Sequence, residues 1–171
     1  MTNSEIKKLL KLTPRELTDR GICPTCFDKE TGGALYGDNS DALFYTDDDI
    51  ECFLVKKPRA PGHACISSVT HYHDMSEAPD ELNEKIVRFA KRLMKTIREI
   101  YGCERVYLCT MCDGPANHYH VQLIPRYAHE ERGSENFTKK RTDYTYDAEK
   151  LGALKRLMRE YADTEELRHH G

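Results

Sequence analysis

Residues 117–126 constrain the fold of this chain more than any other stretch of its sequence. They run Asn-His-Tyr-His-Val-Gln-Leu-Ile-Pro-Arg, in which apolar and polar side chains alternate as they do on a β-strand. The apolar members are expected to face a core: Tyr119, Val121 and Leu123. The polar members share the opposite face: His118, His120 and Gln122. Pro125 is expected to end the strand, because it has no N–H to give to a neighbouring strand.

Two histidines one residue apart on a strand have several uses. Both imidazoles point to the same side, where they can hold a metal ion or act as acid, base or nucleophile on one substrate. Two exposed histidines on an edge strand would produce the same pattern without any function. The rest of the chain must therefore distinguish these interpretations.

Composition places the chain among ordinary globular proteins and narrows its partners. Its 171 residues are enough for one domain with a sizeable core, and 32% of them are charged and 39% apolar. A formal charge of −3 and a pI near 6.2 argue against nucleic-acid and membrane-surface partners. No apolar run approaches the roughly 20 residues that span a bilayer, and the N-terminus lacks signal-peptide features. We therefore expect a cytoplasmic protein with a small-molecule partner.

The periodicity along the chain predicts one α+β domain, residues 1–171, with a mainly antiparallel sheet. Five strands are expected: residues 42–46, 51–56, 63–68, 105–111 and 117–126. Helices are expected at four places: residues 4–12, 13–20, 82–101 and 147–163. The first two form a helical N-terminal extension, residues 1–20, and the third is the clearest amphipathic helix of the chain.

Residues 130–146 form a polar, irregular segment that includes Lys139-Lys140-Arg141. It is long for a loop in a compact domain, since most loops between secondary-structure elements are shorter. We interpret it either as a flap over a site or as a mobile excursion.

The seven cysteines are an odd number in a chain expected in a reducing compartment, so they do not form a disulfide framework. Cys52, Cys65 and Cys103 are expected to be buried as small hydrophobic side chains. Cys23 and Cys26 flank Pro-Thr at an expected tight turn. This is the spacing at which two thiolates bind one zinc ion.

A closed tetrahedral zinc site needs two further ligands, for which His118 and either His71 or His73 are available. Cys109 and Cys112 would instead make a four-cysteine site. Cys109 lies in an expected strand, where residues three apart face opposite ways, and this disfavours the four-cysteine arrangement. A redox-active cysteine pair is a third alternative, although no thioredoxin-like βαβ pattern surrounds it.

Several segments together resemble the signature of the histidine triad (HIT) superfamily, in the variant whose third histidine is a glutamine. These segments are the strand of residues 118–126, the Pro-Gly-His run of residues 61–63, and His71 before the long helix. Cys23 and Cys26 stand where many bacterial members and the galactose-1-phosphate uridylyltransferases carry a zinc pair. The resemblance covers residues 23–126. It implies an α+β core with a five-stranded antiparallel sheet, often paired into a homodimer.

Carried over residue by residue, the resemblance makes His120 a nucleophile. It would attack the α-phosphorus of a nucleotide and become a nucleotidyl-histidine. Gln122 would hydrogen-bond a non-bridging phosphate oxygen, which places it among both the catalytic and the substrate-binding residues. Asn117 and His63 are the other expected substrate-binding residues. The implied substrate is a nucleotide or a dinucleoside polyphosphate.

The same resemblance implies one structural Zn²⁺ ion. Its expected ligands are Cys23, Cys26, His71 and His118. Counting from the Pro-Gly-His run favours His71 over His73 as the third ligand.

Gln122 also bears on the reaction type. A carboxamide cannot act as a general acid near neutral pH, so it suits leaving groups that need no proton, such as the phosphate of a phosphoanhydride. The resemblance implies that glutamine variants transfer the nucleotide to phosphate or a sugar phosphate. We therefore expect a nucleotidyl transferase or phosphorylase, with a hydrolase that uses the same nucleophile as the close alternative.

Two departures from the family pattern favour a third interpretation, a zinc-stabilised nucleotide-binding protein without catalysis. Val55 stands where the small hydrolases keep an acidic residue, and the loop of residues 114–118 is short. Phosphate contacts from Lys56, Lys57 and Arg59 are an option, but ordinary surface charge explains them as well. A redox or zinc-relay protein built on all four paired cysteines is the last alternative.

Overall fold

The structure, a computed structural model, describes residues 1–37, 40–133, 135–143 and 146–169, with side chains of the last helix described to residue 165. A five-stranded antiparallel sheet has the spatial order β1-β2-β3-β5-β4. Its strands are β1 Leu43–Thr46, β2 Ile50–Leu54, β3 Ala64–Ser68, β4 Arg105–Cys109 and β5 His120–Arg126. The predicted α+β architecture with this sheet is therefore confirmed. No helix in these ranges is both long and apolar enough to span a membrane.

Six helices accompany the sheet in the described part of the chain. They are α1 Asn3–Leu9, α2 Pro14–Asp19, α3 Pro24–Glu30, α4 Asp80–Tyr101, α5 Glu135–Thr138 and α6 Ala148–His169. α2 begins with the capping box that its sequence predicts, because Thr13 Oγ1 accepts the N–H of Glu16 and the Glu16 carboxylate accepts the N–H of Thr13. The last helix is longer than the predicted 147–163. Residues 134 and 144–145 of the polar segment lie outside the described residues.

The hydrophobic core joins the sheet to α4 and α6. The apolar residues of β5 and the residue before it contribute as their alternation predicts, with Tyr119, Val121 and Leu123 all at most 3% exposed. The inward face of α4 is apolar apart from Thr96: Ile86, Phe89, Ala90, Leu93, Thr96, Ile97 and Tyr101. The three cysteines expected in the interior, Cys52, Cys65 and Cys103, are indeed buried. One face of the sheet is thus occupied by packing, which leaves the face of His120 and Gln122 for chemistry.

Two local predictions are wrong. The segment from Cys23 to Cys26 is not a tight turn, because Cys23 caps α3 and its Sγ accepts the N–H of Cys26 at 3.5 Å. Pro125 does not end β5, because it lies inside the strand, opposite Val106. The pairing of β5 with β3 already stops at Leu123, so the proline stands where the strand has a neighbour on one side only.

Candidate functional site

The first part of the site is a cluster of two thiols and two imidazoles. Cys26 Sγ lies 3.3 Å from His71 Nδ1 and 3.4 Å from His118 Nδ1, and Cys23 Sγ lies 3.7 Å from His118 Nδ1. The two histidine Nδ1 atoms are 3.4 Å apart, and all four atoms lie within 4.8 Å of one another. α3, the segment after β3 and the start of β5 thus meet at one point.

These separations match the edges of a tetrahedron around a metal ion. Zinc–sulfur and zinc–nitrogen bonds of about 2.3 and 2.0–2.1 Å give edges of roughly 3.3–3.8 Å between ligand atoms. His118 is also oriented for this role, because its Nε2–H donates to the carbonyl oxygen of Ser68 at 2.8 Å. Its Nδ1 therefore carries a lone pair that points into the cluster. The four side chains can hold a tetrahedral metal ion.

The other metal ligands considered from the sequence lie elsewhere. His73 Nδ1 pairs with the Glu77 carboxylate at 2.8 Å and takes no part in the cluster. Among the described residues, Cys109 and Cys112 belong to no such group either. Burial raises the pKa of the Cys26 thiol to about 11 and lowers that of His118, because burial disfavours charge on either group. A cation at the centre would favour the thiolate instead.

The second part of the site is a chain of hydrogen bonds that ends at His120. The backbone N–H of Arg59 donates to His63 Nδ1 at 3.1 Å. His63 Nε2 lies 3.1 Å from Gln122 Oε1, and Gln122 Nε2 lies 3.4 Å from His120 Nε2. His120 Nδ1 lies 2.8 Å from the carbonyl oxygen of His118.

Each hydrogen bond in this series has a defined donor and acceptor. The same assignment follows from the Arg59 end and from the His118 end of the series. A backbone N–H can only donate, so His63 accepts at Nδ1 and donates from Nε2 to the Gln122 carbonyl oxygen. The Gln122 amide nitrogen then faces His120 and donates to its Nε2. At the other end a carbonyl oxygen can only accept, so His120 carries its proton on Nδ1. Both arguments leave the His120 Nε2 lone pair unprotonated.

The electrostatics of His63 agree with this assignment. Its side chain is 1% exposed, and burial is the largest cause that lowers its pKa to about 4. The positive charge of Arg141 is the next cause. His63 is therefore neutral near pH 7, as a ring that accepts at one nitrogen and donates at the other must be.

The remaining expected substrate residues stay predictions. Asn117 Nδ2 donates to the carbonyl oxygen of Gly114 at 2.8 Å, so this nitrogen helps to close the short turn before β5. His63 lies behind Gln122 and reaches His120 only through it. Neither the Ser68 carbonyl nor the Arg59 N–H could be predicted from the sequence, because backbone groups have no residue signature. The Pro-Gly-His run of residues 61–63 did indicate a turn at this position, and this turn presents the Arg59 N–H.

The fold and this site together define a protein of the histidine-triad class, an antiparallel sheet that presents oriented histidines from one strand. The HIT domain family matches residues 37–129, which is more than half of the chain, and the chain belongs to this family.

Individual relatives support the fold. Protein hit of Bacillus subtilis is 28% identical over 99 residues, which cover 54% of this chain and 67% of that protein. A zinc-bound histidine triad family protein from Mycobacterium smegmatis superposes with a TM-score of 0.61 at 18% identity, covering 83% of this chain and 96% of that one. The diadenosine triphosphate hydrolase of Plasmodium falciparum, in complex with cyclomarin A, superposes with a TM-score of 0.56 at 16% identity. The superposition covers 74% of this chain and 82% of that one. At such identities, the two structures show a shared fold.

Proposed function

We propose that this protein is a nucleotidyl transferase or phosphorylase of the HIT type, which cleaves a nucleoside phosphoanhydride through a nucleotidyl intermediate on His120. The observation that carries the proposal is the directed hydrogen-bond chain, because it holds the imidazole of His120 with an unprotonated Nε2 on the strand face that carries the site. Membership of the HIT family supports the choice of phosphorus as the electrophile.

In the first step, the lone pair of His120 Nε2 attacks the α-phosphorus. The N–P bond forms, the bond from phosphorus to the bridging oxygen breaks, and the leaving phosphate takes the electron pair. The ring becomes a cation that keeps its Nδ1–H, and the His118 carbonyl that accepts this hydrogen stabilises the charge. Gln122 can turn its amide N–H from His120 to a non-bridging oxygen. It cannot protonate the leaving group. Phosphoanhydrides, whose leaving phosphate needs no proton, are therefore suitable substrates, whereas compounds with an amine leaving group are not.

The second step requires an acceptor, and the surroundings of His120 favour one that is already an anion. Within the described residues, the side chain in hydrogen-bond contact with His120 is Gln122, an amide, and His63 behind it has both nitrogens engaged. Neither can remove a proton from water. A phosphate or sugar phosphate brings a negatively charged oxygen and needs no base. This supports transfer over hydrolysis.

We also propose Zn²⁺ as the structural ion of the Cys23, Cys26, His71 and His118 cluster. Two sulfur and two imidazole ligands in a nearly closed tetrahedron are typical of zinc and unsuited to Mg²⁺ or Ca²⁺. The ion would supply no chemistry to the reaction. Its ligands fix α3 beside the start of β5, and His118 in turn presents the carbonyl that orients His120.

Intact-protein mass spectrometry after brief mixing with diadenosine tetraphosphate, and separately with a uridine diphosphate sugar, tests the proposal. We expect a gain of one nucleotide mass in the wild type and none in His120→Ala. The matched control is His129→Ala, which removes an exposed histidine outside the site and keeps the adduct. A wild type that forms no adduct with either substrate, or an adduct that persists in His120→Ala, contradicts the proposal. Discharge of the adduct by phosphate and not by buffer distinguishes transfer from hydrolysis.

A further inference from the structure

The polar segment after β5 folds back onto the turn that precedes His63. Arg141 donates to the carbonyl oxygen of Lys57 at 3.0 Å, and the N–H of Thr142 donates to that of Pro58 at 2.9 Å. In the opposite direction, the Arg59 guanidinium donates to the carbonyl oxygen of Lys139. We call residues 139–142 the basic strap. Its residues 140–142 are exposed, but these hydrogen bonds hold it against the turn that precedes His63.

The strand register shows which face the strap reaches. Cys65, Gln122 and Cys109 are direct partners across β3, β5 and β4, so their side chains form one row on the face that carries the site. Burial raises the pKa of the Cys65 and Cys109 thiols, and a guanidinium opposes that shift in each case. The opposing charge is Arg141 at Cys65 and Arg59 at Cys109. Arg59 is also joined to Gln122 by hydrogen bonds, because its N–H donates to His63 Nδ1 and His63 Nε2 donates to Gln122 Oε1.

Two cations of the strap and the turn have carboxylate partners, whereas Arg59, Lys140 and Arg141 have none among the described residues. Lys57 forms an ion pair with Asp143, and Lys139 forms one with Glu130 at 2.6 Å. Across residues 1–37, 40–133, 135–143 and 146–169, neither Arg59 nor Arg141 has a carboxylate partner.

The two guanidinium groups, which lack carboxylate partners among the described residues, also repel each other. Arg59 Nε is buried without a hydrogen-bond partner in the described part of the chain. Burial, and then the charge of Arg59, lowers the pKa of Arg141. Arg59 is half-buried and Arg141 is exposed, and two like charges held close together repel until an anion joins them.

We propose that Arg59 and Arg141 form the subsite for the phosphate group that is exchanged at His120: the phosphate that leaves in the first step and the phosphate or sugar phosphate that accepts in the second. The inference rests on the function proposed above. Planar guanidinium forks match phosphate oxygens in pairs, which suits them to this ligand better than lysines.

One subsite can serve both steps because phosphoryl transfer is roughly in line. The leaving oxygen departs from, and the incoming oxygen approaches, the side of the phosphorus opposite His120 Nε2. In the second step the acceptor oxygen forms a bond to phosphorus, the N–P bond breaks, and its electron pair returns to Nε2. The product is a nucleoside polyphosphate or a nucleotide sugar, and no further reactant is needed.

The test compares the discharge of the preformed nucleotidyl adduct in the wild type, Arg141→Gln and Lys140→Gln. Lys140 is the adjacent exposed cation of the strap and has no hydrogen bond or ion pair to any described residue, so its loss changes the net charge equally. Discharge is followed by mass spectrometry against the concentration of inorganic phosphate and, in a second arm, of a hexose 1-phosphate. We expect Arg141→Gln to raise the concentration for half-maximal discharge at least tenfold in whichever arm is active, and Lys140→Gln to stay within twofold of wild type.

Equal behaviour of Arg141→Gln and Lys140→Gln overturns the inference. A wild type that never forms an adduct counts against the proposed function instead, and direct binding then tests the subsite. In that case inorganic phosphate is titrated into each protein by calorimetry. Binding that Arg141→Gln weakens and Lys140→Gln does not supports the arginine pair, whereas unchanged or absent binding overturns it. Thermal unfolding of each variant establishes that it is folded.

Discussion

At the scale of single residues, His63 connects the site to the stability of the protein. Its pKa of about 4 in the folded protein lies below its ordinary value near 6.5, because of burial and of the positive charges of Arg141, Arg59 and Lys139. As pH falls, the unfolded chain therefore binds this proton first. The stabilisation that neutral His63 supplies is complete above about pH 6.5 and is lost as the pH approaches 4.

We predict that the free energy of unfolding of the wild type minus that of His63→Asn falls by about 3 kcal/mol between pH 7 and pH 4. The subtraction removes every other titrating group, including the thiols and imidazoles of the cluster. Urea unfolding of both proteins at closely spaced pH values measures this difference in the free energy of unfolding. For His129→Asn, at an exposed position, the same difference is expected to stay within about 0.5 kcal/mol. A flat difference for His63→Asn would show that the ring can take up a proton without leaving its place.

Residue patterns in the sequence were sufficient to name the members of the Cys/His cluster, but not to predict the hydrogen bonds that orient the histidines. The alternation of residues 118–123 predicted which side chains face the core, and the motif resemblance named the four residues that meet at the cluster. The tautomer of His120 could not be predicted, because the carbonyl of His118 and the N–H of Arg59 determine it. The homodimer, which the resemblance alone implied, stays a prediction.

At the scale of elements, α3 shows why a spacing motif does not determine its own conformation. The Cys-x-x-Cys spacing is compatible with a turn or with the first turn of a helix, since both bring the two thiols to one side. Cys23 is an N-cap with proline at the next position, a combination that favours a helix start. The observed strand boundaries differ from the predicted ones for a related reason. Pairing partners determine where a strand stops, and they belong to other parts of the chain.

The turn before β3 offers a test of local packing. Gly62 has a φ of +79°, and a Cβ built on it would lie 2.9 Å from the aromatic ring of Tyr101 at the end of α4. Gly32 has a φ of +68°, and its Cβ would meet nothing within 4 Å. Both positions penalise alanine by about 1–2 kcal/mol through the left-handed backbone. Only Gly62 adds a collision with the ring.

We therefore predict that Gly62→Ala lowers the free energy of unfolding by about 1–3 kcal/mol more than Gly32→Ala, the typical cost of overpacking. Urea unfolding of the two variants measures the difference directly. Because His63 follows Gly62, the variant should also slow formation of the nucleotidyl adduct. Equal costs for both alanines would mean that the Tyr101 ring can move aside.

At the scale of the whole molecule, the cluster joins parts of the chain that are far apart in sequence. Cys23 caps α3 and Cys26 lies in its first turn, His71 follows β3, and His118 precedes β5. α4 and α6 pack on each other and on the sheet, whereas α3 packs against α2 and is joined to the rest of the molecule by this cluster and by the Lys29–Glu51 ion pair. The order β1-β2-β3-β5-β4 brings His71 and His118 together, and no local pattern in the sequence encodes that adjacency.

A metal ion at this junction should stabilise the fold, because ligands that exist only in the folded chain convert binding free energy into folding free energy. We predict that the purified protein carries one equivalent of zinc and that His71→Ala loses it. The loss should lower Tm by about 10 °C, as expected for several kcal/mol in a chain of this length. His73→Ala is the matched control. It removes a neighbouring histidine whose partner is Glu77, an exposed ion pair that contributes little to stability.

Elemental analysis and differential scanning fluorimetry, each with and without a chelator, measure these quantities. Chelation should lower the Tm of the wild type and of His73→Ala to the level of His71→Ala, and it should leave His71→Ala unchanged. Hydrogen exchange should then show α3 losing protection first, because the ion fixes it to the start of β5. An equimolar metal content with an unaltered Tm in His71→Ala would mean that three ligands suffice, and the tetrahedral assignment would be wrong.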